Sequence, residues 1–122
     1  MTAQDLLNKA LVLLGYTDSV GSAQMTNRIR SRAVTAINQV YADLFYALNP
    51  KGEFKGIENL NDTLLLPERI LNEVTPYGVA AFIAQTEGDG ENNQLFTLLF
   101  NSKRALLTHT EKTVDAMPAI WG

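Results

Sequence analysis

From Ala23 to Leu48 the chain repeats one pattern without interruption. Met25, Ile29, Ala33, Ala36, Ile37, Val40, Tyr41, Leu44 and Leu48 recur at threes and fours. That spacing places them on one face of an α-helix and does not fit the two-residue period of a strand. Arg28, Arg32, Gln39 and Asp43 fall on the opposite face. Asn49-Pro50 ends the segment, because the residue before a proline avoids helical dihedrals. A helix this amphipathic is stabilised mainly by what its apolar stripe packs against, so the rest of the chain has to supply that partner.

Three further segments carry helical spacing. The first spans about Thr2 to Leu14, with Thr2 as N-cap and Gly15 as the residue that stops it. Val12 and Leu13 widen its apolar face, which predicts a helix covered on more than one side. The next runs from about Pro67 to Thr86, with Ile70, Leu71, Val74, Tyr77, Ala81 and Ala84 as its buried stripe. Pro76 inside it predicts a kink, or two abutting helices with Thr75 as a second cap. The last, about Glu91 to Thr110 with Asp89 as cap, places Leu95, Leu98, Leu99, Ser102, Leu106 and His109 along one side. Phe96, Phe100, Lys103 and Leu107 lie next to that stripe.

At 122 residues the chain has the length of one domain. The expected fold is all-α: a small bundle of four principal helices spanning residues 1–110, with a long arm at 49–66 between the second and third. An extended C-terminal tail, 111–122, follows it. The arm carries Phe54, Ile57, Leu60 and Leu64–Leu66, and the tail ends Ala116-Met117-Pro118-Ala119-Ile120-Trp121-Gly122. Short apolar segments on polar tethers suit docking on other chains, where large aromatics contribute heavily. Phe54, Ile57, Met117, Ile120 and Trp121 are therefore the expected partner-binding residues.

Composition argues against chemistry. There is no cysteine, which removes disulfides, thiolate metal sites and cysteine nucleophiles, and the single histidine, His109, leaves no multi-histidine metal site. Glu87, Asp89 and Glu91 alternate with glycines, but a calcium loop counted from Glu87 would need glycine at position six and glutamate at twelve, where Asn92 and Leu98 stand. Gly88-Asp89-Gly90 lacks the lysine and spacing of a phosphate loop. No catalytic, cofactor-binding or metal residue is assigned, and no enzyme and no cofactor are expected.

The formal net charge is −3. Residues 63–94 account for more than that, with Arg69 alone against Glu68, Glu73, Glu87, Asp89 and Glu91. Arg28, Arg30 and Arg32 form the opposite extreme. On a helix 28 and 32 share a face while 30 points away. This split cluster suits inter-subunit charge contacts, and the alternative is a small helical DNA-binding regulatory protein using Arg28–Arg32. No apolar run approaches the length of a membrane span, and the N-terminus lacks the basic start of a signal peptide. An intracellular protein with no membrane partner is expected.

Several stretches together resemble the head–tail connector (neck adaptor) proteins of tailed bacteriophages. They are Leu13-Leu14-Gly15-Tyr16 closing the first helix, Leu64-Leu65-Leu66-Pro67 opening the third, and Pro76-Tyr77-Gly78-Val79-Ala80-Ala81-Phe82-Ile83-Ala84-Gln85. The acidic turn and Phe100-Asn101-Ser102-Lys103-Arg104 follow in the same order. The resemblance implies a structural virion protein of the neck, assembled in the host cytoplasm. Such a protein forms a homo-oligomeric ring that docks on the portal protein and extends the DNA channel toward the next neck or tail protein. DNA would pass through without specific binding.

Overall fold

The computed structural model describes the backbone of residues 1–116 and the side chains of residues 1–107. Five helices are present among them: α1 (Ala3–Leu14), α2 (Asn27–Leu48), α3 (Glu68–Glu73), α4 (Thr75–Thr86) and α5 (Gly90–Ala116). The fold is the expected all-α bundle of four principal helical segments, the third of them broken in two.

α1 is fixed at both ends by local chemistry. Thr2 Oγ1 accepts from the Asp5 N–H and the Asp5 carboxylate accepts from the Thr2 N–H, both at 3.2 Å, a reciprocal capping box. Gly15 closes the helix at φ 79°, in the left-handed region that favours glycine. The N–H groups of Ala3 and Gln4 have no partner within the helix, and they donate to the carbonyls of Asp62 and Leu60 at 2.9 and 2.8 Å. The segment between α2 and α3 therefore completes the start of α1.

α2 begins four residues later than its apolar spacing suggested. Thr26 caps it, with Oγ1 accepting from the Ile29 N–H at 3.1 Å. Ala23, expected inside the helix, instead pairs across an isolated bridge with Thr17, and Gln24 N donates to the Tyr16 carbonyl. The cap and this pairing outweigh the apolar spacing of Met25.

The break in the third segment falls at Val74, with φ −119° and ψ −54°. Pro76 lies in the first turn of α4, where its missing N–H costs no intrahelical bond. Two abutting helices thus form, but Thr75 does not cap the second. Its hydroxyl is fully buried and donates to the Ile70 carbonyl at 2.9 Å, satisfying the end of α3 instead.

α4 packs against all four other helices. Thr75, Pro76, Gly78, Val79, Ala80, Ala81, Ile83 and Ala84 are all buried, and the small residues among them let neighbouring helices approach closely. Gly78 is the tightest point. A Cβ there would lie 2.9 Å from both the Phe100 ring and a Val40 methyl. The α2–α4–α5 junction therefore requires hydrogen at this position. α5 meets α4 through Phe96 and Phe100, and Lys103 Nζ sits 4.5 Å above the Tyr77 ring. α5 also continues past the expected end near 110, to Ala116. Residues 111–116 contain no glycine or proline to oppose a helix. These six residues belong to α5 rather than to an extended tail.

Gly78→Ala should lower stability by about 1–3 kcal/mol, overpacking outweighing the better helix propensity of alanine. Chemical denaturation would measure the loss, and an unchanged midpoint would show that Phe100 and Val40 give way without cost.

Candidate interaction surfaces

The arm does not project. Ile57 is 6% exposed and belongs to the chain's own core. The Asn38 side chain on α2 holds it in place, donating to the Ile57 carbonyl at 2.9 Å and accepting from its N–H at 2.8 Å. Phe54 packs edge-on to Tyr41 with ring centroids 5.0 Å apart, and its ring also lies near Phe45 and Tyr46. Further along, Tyr41 Oη accepts from the Leu65 N–H at 2.9 Å. Leu64 and Leu66 turn inward around the exposed Leu65, the alternation of extended chain. Within one subunit Ile57 is therefore a core residue and Phe54 a partly buried contact, rather than side chains held out on a projecting arm. The aromatic cluster on α2 and the paired bonds of Asn38 supply the cover that sequence spacing does not reveal. Met117, Ile120 and Trp121, and the side chain of His109, lie outside the described residues.

α5 holds the apolar surface that the arm was expected to supply. Its bundle side is the row Phe96, Phe100, Lys103 and Leu107, so the leucine row beside it faces solvent. Leu95 is 49% exposed, Leu98 62%, Leu99 36% and Leu106 69%. The sequence identified these leucines but not their direction. Two stripes one residue apart on a helix cannot both face one neighbouring helix, and the aromatic row fits the hollow above Gly78. Val12 and Leu13, expected to be covered, are also exposed, at 52% and 40%. They border a concavity between α1 and α4 with Lys9, Pro76 and Tyr77.

The arginine cluster divides as helical geometry requires. Arg28 and Arg32 line a groove between α2 and α4 of about 630 Å³, together with Thr35, Gln39, Phe82 and Gln85. Arg30 does not line it. Phe82, 38% exposed, lies outside the stripe of α4 residues that the spacing singled out. An apolar residue adjoining Ala81 but off that stripe was the available signal.

The acidic turn between α4 and α5 is engaged within the fold. Glu87 accepts from Thr26 Oγ1 at 2.8 Å and lies 3.9 Å from the Arg28 guanidinium. Asp89 accepts from the Tyr16 hydroxyl at 2.7 Å and from both the backbone and side-chain nitrogens of Asn92, capping α5 as expected. The Tyr16 and Asn92 bonds hold the Asp89 carboxyl below the usual carboxylate range. Burial first, and then the neighbouring Asp89 carboxylate, push the Tyr16 hydroxyl well above its ordinary value, so it remains a donor. Among the described residues no three histidine or carboxylate side chains come together as a metal site. No described helix is long and apolar enough to cross a membrane.

Comparison with known protein families, with curated proteins and with solved structures gave no match.

Asp89 titrates lower in the folded chain than unfolded. Its stabilising effect is therefore present above the ordinary carboxyl range, near pH 4, and is lost as pH falls through the folded value. Tyr16→Phe should raise the Asp89 carboxyl back toward its usual value, read by NMR titration, and weaken the dependence of stability on acid. An Asp89 titration identical in both proteins would contradict the role given to the hydroxyl. Asn38→Ala should cost about 1–3 kcal/mol, because two backbone groups at Ile57 lose their partner. Hydrogen exchange should then rise first across residues 53–58, and uniform exchange along the chain would argue against local anchoring.

Proposed function

We propose that this chain is a structural, self-assembling component that works as a head–tail connector of the tailed-bacteriophage type, forming a ring that docks on a portal and extends the DNA channel. The observation that carries the reading is the exposed leucine row of α5. Four large apolar side chains in a row on one helix form the kind of surface that marks a protein contact. A second exposed apolar patch, Val12 and Leu13, lies on α1, and α1 and α5 both pack on α4. Two different patches on one subunit suit a head-to-tail contact between copies, the contact that generates rings when the rotation closes. The α5 leucines of one copy would then cover Val12 and Leu13 of the next. The sequence likeness to connectors, carried by the Pro76–Gln85 stretch and the residues around Phe100–Arg104, supports the same reading.

Leu98→Glu should abolish self-association while leaving helical content unchanged, because Leu98 is 62% exposed. Sedimentation of both proteins would show it, and an assembly unaffected by the charge would overturn the use of this face. Deletion of residues 117–122, which leaves all of α5, should weaken docking on the portal or a neighbour without unfolding the chain. Loss of the thermal transition in the truncated protein would assign that segment to the core instead.

A further inference from the structure

The groove between α2 and α4 is not used in that reading, and its lining has a chemistry of its own. Arg28, Arg32, Thr35 and Gln39 form one stripe along α2, spaced four, three and four apart. Across from them α4 contributes Phe82 and Gln85. Arg32 has no ion-pair partner among the described residues. Arg28 is 64% exposed and meets Glu87 only at 3.9 Å, while Glu87 is separately held by Thr26 at 2.8 Å. Asp43, one turn beyond Gln39, is neutralised by a bidentate contact with Arg104 at 2.6 and 3.1 Å.

From this arrangement we infer that the groove binds a phosphate group carrying a planar base, as found in a single-stranded nucleic acid or a free nucleotide. Arginine guanidinium groups present a planar fork of donors that matches phosphate oxygens. Phe82 offers an aromatic face on which any base can stack, and Gln39 and Gln85 each bring a donor and an acceptor suited to base edges. An acidic peptide would satisfy the arginines but leave the aromatic face and the amides without planar partners. The volume, about 630 Å³, lies within the range of small-ligand sites. The stacking residue comes from a different helix than the arginines, which is why the arginine run alone lacks the aromatics of a single-strand site. The inference stands apart from the connector reading, since a monomer suffices to test it.

The test is a low-salt titration of the full chain with an oligothymidylate strand, with thymidine monophosphate, with inorganic phosphate and with a polyglutamate peptide, followed by NMR. The strand should perturb Arg32, Gln39, Phe82 and Gln85, with affinity falling as salt is raised. Arg32→Glu should cost at least about tenfold and Phe82→Leu roughly tenfold, as loss of one stacked base implies. Arg30→Glu, on the other face of α2, should stay within about threefold by the distance screening of charges. A strand bound far more tightly than the monophosphate identifies nucleic acid as the ligand, and similar affinities identify a nucleotide site. Either supports the inference. Equal losses from Arg30→Glu and Arg32→Glu, polyglutamate binding as tightly as the strand, inorganic phosphate binding as tightly as the monophosphate, or no binding at low salt would each overturn it.

Discussion

The fold depends on α4 being enclosed. A helix that packs against four others needs small side chains where they come closest, and Gly78, Ala80, Ala81 and Ala84 supply them. At Gly78 the requirement is strictest, since Phe100 and Val40 occupy the space a side chain would need. The position of Phe100 sets the rotation of α5 about its own axis. With Phe96, Phe100 and Leu107 turned toward the bundle, Leu95, Leu98 and Leu106 have nowhere to point but outward. The exposed surface proposed to drive assembly is thus a consequence of how tightly the centre is packed.

The segment between α2 and α3 has an equally physical explanation. It lacks regular secondary structure, yet it satisfies backbone groups that would otherwise have no partner. Asp62 and Leu60 carbonyls receive the first N–H groups of α1, and the Asn38 amide closes both polar groups of Ile57. Two backbone N–H groups, those of Glu58 and Asn59, donate to the Asp62 carboxylate and hold it below the usual carboxylate range. A nineteen-residue connection, 49–67, is tolerable in a small bundle because its polar groups and its apolar side chains are both used inside the same subunit.

Much of this was legible in the sequence where the signal was local. Thr2, Gly15, Asp89 and the break around Pro76 all act through neighbours a few residues away, and their roles followed from residue type and spacing. What depended on contacts between distant segments was not legible. Phe54 and Ile57 looked like arm residues because nothing in their spacing discloses Tyr41, Phe45 or Asn38 as partners. The α5 leucines were legible as one side of a helix, but which side meets the bundle is decided by the aromatic row that packs at Gly78. Phe82 reaches the arginines' groove from another helix, so the spacing of the arginine run does not disclose it.

The central proposal is that copies of this chain assemble through exposed apolar surfaces into a ring. Electron microscopy of the purified protein, alone and mixed with the products of neighbouring genes, tests it most directly. Closed rings of uniform diameter, free or seated on a larger ring, are the expected result. Uniform monomers that bind none of those neighbours would contradict it.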